Sequence, residues 1–430
     1  MARHHKIETL FDMFIHSYEH YKTNTAFIYR AGEEAFTVTY EKFFDDVLIL
    51  SKAFASKKII KGSKVMLLSD NRYGWMVTDM ALVSLGAISV PRGCDTPTKE
   101  LEYIMTNSAC EYLILENREL YVKHEPLIKS LHLKAVFIIE AENVHAPFAN
   151  TYAYNDILKN RTIRQEEIEN FIAGRENLTS DDIFTIIYTS GTTGTPKGVL
   201  LSHQNIMYNI AVIPNLIKLV HEDRWLSILP TWHIFERAAE YVAISKGCCQ
   251  VYSSIKTFAQ DLQTYQPTIV ATVPRLWESM YIKINAAIKA QGSRKEKLFH
   301  GLVAVSEKYN YNMRIVKNHL PALKKPTMIG TLLKKSVAVL NLLWLTPLNF
   351  IAMKKLQLVQ EKFGGRLRLA VSGGGTLPQY LDAWIDALGI RIIDAYGMTE
   401  CAPLIAGRAL QCDIFGTLGS SIEGSTIKIV

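Results

Sequence analysis

Tyr188-Thr189-Ser190-Gly191-Thr192-Thr193-Gly194-Thr195-Pro196-Lys197-Gly198-Val199 follows directly on the apolar run Ile183-Phe184-Thr185-Ile186-Ile187. A short apolar run bounded by Gly and Thr reads as a buried strand feeding a loop. Hydroxyls and glycine N–H groups can donate to phosphate oxygens from several directions, and a lysine adds a mobile positive charge. The stretch therefore predicts a strand opening into a loop that holds the phosphates of a nucleoside triphosphate. Its spacing excludes the common P-loop, which wants Gly, four residues, then Gly-Lys-Ser/Thr at the head of a helix. Counted from Gly191, Pro196 stands where the second glycine belongs and Gly198 where the Mg²⁺-binding hydroxyl belongs.

Outward from this loop, strand and helix patterns alternate. Helical spacing over 7–21 is followed by a strand at Ala26-Phe27-Ile28-Tyr29 and a capped helix from Thr39 to Ala55. Strands at 64–68, 87–91, 112–115 and 135–139 are separated by helical stretches at 73–85 and 98–107. After the loop, strands recur at 225–229, 250–252, 269–273, 367–371 and 391–394. This repetition predicts an α/β fold with parallel sheets covered by helices on both faces. A polar, charged stretch over 155–182 breaks the pattern, so the expected division is a first α/β subdomain at 1–180 and a second at 181–430.

The loop closely resembles the signature of the AMP-forming adenylate-forming enzymes, which include acyl-CoA synthetases, aryl-CoA ligases, luciferases and peptide-synthetase adenylation domains. Asp394-Ala395-Tyr396-Gly397-Met398-Thr399-Glu400 is the second strong signal. It offers an aromatic face for adenine, a hydroxyl for the α-phosphate and a carboxylate for Mg²⁺. Further segments resemble bacterial-type long-chain acyl-CoA synthetases: Pro91-Arg92-Gly93-Cys94-Asp95-Thr96-Pro97, Phe363-Gly364-Gly365-Arg366-Leu367-Arg368 and Gly416-Thr417-Leu418-Gly419. The resemblance implies the layered αβαβα large domain of that family. It also implies the reaction of ATP, a long-chain fatty acid and CoA to acyl-CoA, AMP and diphosphate through an acyl adenylate.

Carried onto this chain, the resemblance assigns Thr189, Ser190, Thr192, Thr193 and Lys197 to the β- and γ-phosphates, with Gly191 and Gly194 shaping the loop. Thr399 is expected on the α-phosphate and Glu400 on Mg²⁺. Asp394, Ala395, Tyr396, Gly397 and Met398 are expected around the nucleotide. Gly373, Gly374 and Gly375 are similar to the family's adenine-binding turn; a glycine run lets the backbone approach a flat ligand, although in isolation it is more often a plain turn. His233, in Leu229-Pro230-Thr231-Trp232-His233-Ile234-Phe235-Glu236-Arg237, reads by itself as a packed core histidine, whereas the resemblance places it by the reacting carboxylate. Arg275, in Val273-Pro274-Arg275, reads first as a structural residue at a helix start.

Composition narrows the class. The 430 residues are 48% hydrophobic and 21% charged, as in globular enzymes, and the net charge of +7 is scattered in short clusters, so no nucleic-acid groove is indicated. The six cysteines show no C-x-x-C pair and suggest reduced thiols in a cytoplasmic protein. Residues 336–353 (SVAVLNLLWLTPLNFIAM), between Lys334-Lys335 and Lys354-Lys355, reach the lower limit of a membrane span. Asn341, Thr346, Pro347 and Asn349 count against crossing, and a core helix is favoured over a peripheral contact on the inner face of a membrane.

The sequence stops in an apparent strand at 426–430. In the family a ribose-binding Thr-Gly-Asp motif, a hinge Arg and a small C-terminal domain with the adenylation lysine follow. The final β subdomain and the C-terminal domain are thus absent from this stretch, which alone is expected to bind ATP and acyl chain but to turn over poorly. A non-catalytic lipid- and nucleotide-binding remnant, or a ligase for another carboxylate or an acyl carrier, is the alternative reading, and a P-loop ATPase is a distant third.

Overall fold

The computed structural model describes residues 6–32, 34–141, 150–159, 162–190, 194–322, 327–409 and 414–428. Its strands are β1 (Thr25–Ala31), β2 (Glu34–Thr39), β3 (Lys64–Leu68), β4 (Ile88–Arg92), β5 (Tyr112–Asn117), β6 (Ala135–Glu140), β7 (Thr151–Ala153), β8 (Ile183–Thr189), β9 (Lys197–Ser202), β10 (Arg224–Ser227), β11 (Cys249–Tyr252), β12 (Ile269–Thr272), β13 (Leu369–Ser372), β14 (Ile392–Gly397), β15 (Leu404–Gly407) and β16 (Ser420–Ser421). One sheet of seven runs β7-β6-β5-β3-β4-β8-β9, and one of nine runs β16-β15-β14-β13-β12-β10-β11-β1-β2. Neighbours are parallel except at the edges, where β1–β2, β8–β9, β14–β15 and β15–β16 are antiparallel.

The sheets do not divide at residue 180. β8 and β9, which follow it in sequence, complete the sheet built from β3 to β7, while β1 and β2 cross over to pair beside β11. Hydrophobic periodicity locates strands but carries no information on which neighbour each one takes.

The apolar core forms three clusters, which gives the layers. One lies between the sheets and includes Val65, Leu67, Phe184, Trp225, Ile269 and Ile393. A second backs the nine-stranded sheet and a third backs the seven-stranded sheet. The helix Ile234–Ser245 occupies the middle layer, with ten buried residues. One of its faces carries Arg237 and Tyr241, and the other Glu236 and Glu240, as i, i+4 spacing dictates.

Arg237 and Asp79, the latter on the helix Tyr73–Ser84, are both wholly buried and ion-paired. A buried pair is tolerable only when its remaining donors are satisfied. Arg237 Nε donates to Asp79 Oδ2 at 3.1 Å and to Tyr241 Oη at 2.8 Å. Its Nη1 donates to Thr185 Oγ1 on β8 and its Nη2 to Ser89 Oγ on β4, each at 2.8 Å. On the opposite face Glu240 accepts from Ser227 Oγ on β10 (2.7 Å) and Tyr252 Oη on β11 (2.9 Å). One helix thus binds both sheets through polar side chains.

Residues 336–353 are not core. They belong to one continuous helix, Met328–Gln360, most of whose apolar side chains are exposed while Ala338, Ala352 and Leu356 are buried. This helix packs along the helix Ser293–Lys317 as a hairpin. Two of its polar side chains bond locally: Asn341 Nδ2 donates to Asn312 Oδ1 across the hairpin (3.1 Å), and Thr346 Oγ1 donates to the Leu342 carbonyl (2.7 Å). Hydrophobicity alone does not distinguish a helix that packs all round from one that packs on a single stripe.

Candidate functional site

The signature loop joins two antiparallel strands, not a strand and a helix. Thr189 and Lys197 are register partners, so the lysine enters β9 directly opposite the last residue of β8. This geometry excludes a P-loop, whose lysine opens a helix. Gly191, Thr192 and Thr193 lie outside the described residues. Ser190, Gly194 and Lys197 are exposed, and among the described residues Lys197 has no carboxylate partner. Gly194 has φ +82°, the left-handed conformation that a tight loop asks of glycine.

The loop is held from the seven-stranded side. Arg92 Nη1 donates to the Tyr188 carbonyl at 3.2 Å, Arg92 pairs with Glu100, and its guanidinium lies over the Trp232 ring at 5.5 Å. A Cβ at Gly93 would lie 2.7 Å from Trp232 Nε1, so this glycine admits the indole. The 91–97 segment thereby joins the loop to the 229–237 segment.

β9 also packs against Thr399–Cys401, a turn of 3-10 helix after β14. Asn209, on the helix His203–Ile217 that follows β9, clamps this turn: its Nδ2 donates to the Cys401 carbonyl (3.4 Å) and its Oδ1 accepts from the Leu404 amide (3.1 Å). The two strong motifs, some 200 residues apart in sequence, therefore share one site. Glu400 is exposed, with no hydrogen bond or ion pair from its side chain among the described residues. A free carboxylate is a hard oxygen donor of the kind Mg²⁺ takes alongside phosphate oxygens, so the residue fits the ion expected there.

Glycines set the approach distances. A Cβ at Gly397 would fall 2.1 Å from the Pro403 carbonyl oxygen, so only glycine lets β14 pass β15 here. A Cβ at Gly373 would meet the Phe235 ring at 3.0 Å, which seats the aromatic directly on the glycine turn. Gly374 has φ +72° and is exposed with Gly375. Asp394 is buried; burial raises its pKa to about 6, opposed by Arg408, which pairs with Asp382 at 2.8 Å. Asp394 is thus buried beneath the motif, whereas Tyr396 and Met398 are exposed.

Below these motifs runs an apolar cavity. Gly373, Gly374 and Ala395 to Thr399 line it, together with Ile213 and Leu216 of the helix His203–Ile217, Trp225, and Ala238 and Ala239 of the helix Ile234–Ser245. His233 and Phe235 lie on its wall. His233 caps the helix Ile234–Ser245, its Nδ1 accepting from the Phe235 amide at 3.3 Å, and desolvation by the surrounding protein lowers its pKa although its edge reaches solvent. It is thus a wall residue of the cavity, not a packed core histidine. The wall at Ala238-Ala239 was missed in the sequence, where the pair reads only as good helix former; two small residues on the face between bulky neighbours are the signal that space was left.

Next to that wall, Glu236 is wholly buried, and neither carboxylate oxygen has a hydrogen bond of ordinary geometry among the described residues. Burial, then Glu240, pushes its pKa well above the carboxylate range, and burial raises Glu240 to about 8. Burial thus favours the neutral carboxyl form of both side chains.

Compared with known families, residues 14–430 match the AMP-binding enzyme family. The chain belongs to the AMP-binding enzyme family. Among curated relatives it is 31% identical over 97% of its length to the probable acyl-activating enzyme 16, chloroplastic, of Arabidopsis thaliana, of which it covers 60%. It is 29% identical, again over 97% of its length, to the long-chain-fatty-acid--[acyl-carrier-protein] ligase AEE15, chloroplastic, of the same plant, covering 59%. The chain thus spans about 60% of the length of these relatives. The crystal structure of a long-chain-fatty-acid-CoA ligase (FadD1) from Archaeoglobus fulgidus superposes with TM-score 0.66 at 18% identity, over 97% of this chain and 70% of that one. That likeness shows the fold: two sheets and flanking helices, as in the N-terminal domain of adenylate-forming enzymes.

Proposed function

We propose that this chain forms the ATP- and acyl-binding portion of a ligase that activates a long-chain fatty acid as its adenylate and passes the acyl group to a thiol. The reading rests on one mostly apolar cavity whose wall is shared by the nucleotide motifs (Gly373, Gly374 and Ala395 to Thr399) and by alkyl and aromatic side chains such as Ile213, Leu216 and Trp225. A carboxylate seated at those motifs with its tail among those side chains puts its oxygen beside the α-phosphate held near Thr399. Names of the relatives support a fatty acyl substrate and leave CoA and an acyl-carrier thiol both in view.

Carboxylate and triphosphate repel each other, so cationic charge must offset that repulsion as the bond forms. Lys197 supplies one such charge at the β- and γ-phosphates, and Glu400 would hold Mg²⁺, which screens the phosphate oxygens. The carboxylate oxygen forms a bond to the α-phosphorus as the bond to the bridging oxygen of diphosphate breaks. A thiol then attacks the acyl carbon; AMP leaves with the bonding pair, the thiol loses its proton, and a thioester remains.

Product analysis with the protein that carries this chain, ATP, Mg²⁺ and palmitate tests the reading. Acid-dependent formation of AMP and diphosphate supports it, and ADP with phosphate overturns it. If nucleotide and fatty acid bind but no AMP forms, the chain is a binding remnant instead.

A further inference from the structure

The helix Met328–Gln360 has two apolar stripes. One, with Ala338, Ala352 and Leu356, is buried against the hairpin partner and the domain. The other, Leu333, Val337, Leu340, Trp344 and Ile351, repeats at helical spacing and is exposed by 55 to 80% at every position. A surface helix normally turns charge outward on this face. At about 1.5 Å per residue the stripe from Leu333 to Ile351 runs for roughly 27 Å, too long and continuous for scattered surface leucines.

Charge says what covers it. No acidic residue occurs between Met328 and Gln360, while Lys334-Lys335 and Lys354-Lys355 bracket the stripe. All four lysines lack a carboxylate partner among the described residues. A second copy packed antiparallel on this stripe would bring the lysine pairs together with no acid to neutralise them, which disfavours self-association. A surface with an apolar interior and an anionic rim matches both features: lysine stems lie along acyl chains while the ammonium groups reach phosphates.

We infer that the hairpin Ser293–Lys317 and Met328–Gln360 docks this protein on an anionic lipid bilayer, its long helix lying in the plane of the interface with Trp344 inserted. Crossing the bilayer is excluded by the buried stripe, which is committed to a partner helix carrying Glu296, Glu307 and several lysines that would have to enter hydrocarbon. The inference rests on the hairpin alone and not on the ligase reading, but the two fit: a bilayer is where long-chain acids partition.

The test is sedimentation of the protein with vesicles in the absence of ATP. Binding to phosphatidylcholine vesicles containing phosphatidylglycerol, much weaker binding to phosphatidylcholine alone, and weakening by salt are expected. Replacing the four lysines (K334Q, K335Q, K354Q, K355Q) is expected to lower affinity for the anionic vesicles by about tenfold or more. Trp344→Glu is expected to abolish binding while leaving the circular-dichroism spectrum and melting temperature unchanged, since the side chain is solvent-exposed. No binding to either vesicle, equal binding by the four-lysine variant, or a protein dimer that Trp344→Glu dissociates without lipid would each overturn the inference.

Discussion

Lys197 stands directly across an antiparallel strand pair from Thr189, so the two ends of the signature loop are pinned to each other by backbone pairing. The backbone of Lys197 is fixed by that pairing, and its ammonium has no carboxylate partner among the described residues. A charge-assisted contact to phosphate follows from that arrangement. Lys197→Ala is expected to weaken ATP binding by about 10- to 100-fold while changing AMP binding little, because the contact lies beyond the α-phosphate. Calorimetric titration of both nucleotides checks it; equal losses for ATP and AMP would place the lysine elsewhere.

Glu400→Gln keeps the side chain's size and removes its charge. Binding of ATP with Mg²⁺ should weaken, and fatty-acid binding should be nearly unchanged, as read by fluorescent fatty-acid displacement. Parallel loss of both would assign Glu400 to folding.

Gly397→Ala puts a methyl 2.1 Å from the Pro403 carbonyl oxygen, and backbone cannot step aside as a side chain can. A destabilisation of about 1–3 kcal/mol is expected, with loss of nucleotide affinity. Gly375→Ala is the control, since its Cβ meets Pro274 at an ordinary 3.7 Å; thermal melting should shift in the first variant and hardly in the second.

The buried Arg237–Asp79 pair makes a separate prediction. Arg237→Leu leaves an unpaired buried carboxylate and should cost about 3–5 kcal/mol, whereas Arg237→Leu with Asp79→Leu should recover much of that. Urea midpoints of the single and double variants decide it, and a double variant as unstable as the single would mean that the hydrogen bonds to Ser89 and Thr185 matter more than the charge.

Stability should fall with rising pH across a defined window. Glu240 titrates near 8 in the fold against an ordinary 4.5, so between those values the folded state binds more protons and loses stability as pH rises. His203, depressed to about 4 by burial, acts oppositely, its contribution being lost as pH falls from 6.5. Histidine is neutral in both states from about one unit above its ordinary 6.5, so the range around pH 8 reports the carboxylates. Melting temperature should decline there, and Glu240→Gln should flatten the decline; a wild-type profile flat over that interval would contradict the protonated state.

The α/β class and most parallel strands were legible because apolar runs and their spacing are local properties. Thr39 as a helix cap was equally local, whereas the strand read at 183–187 runs on to Thr189, which sequence alone placed in the loop. Pairing was not: β1 joins β11 across more than 200 residues, and nothing near Phe27 encodes it. The nucleotide motifs were readable as chemistry, but their meeting depends on Asn209, an ordinary helix residue in sequence. The cavity's depth was invisible for the same reason, since a void is defined by residues from several elements. The hairpin misled because composition reports how apolar a helix is and not which of its faces is covered.

In the proposed reading, nucleotide and acyl chain occupy one continuous site. Titration with a non-hydrolysable alkyl-adenylate analogue carrying a long chain tests it most directly, compared with AMP and with a short-chain analogue. The long-chain analogue should bind far more tightly than either, and Ala238→Trp, which fills the cavity, should remove the chain-length advantage while leaving AMP affinity intact. Affinity independent of chain length, with Ala238→Trp without effect, would contradict it.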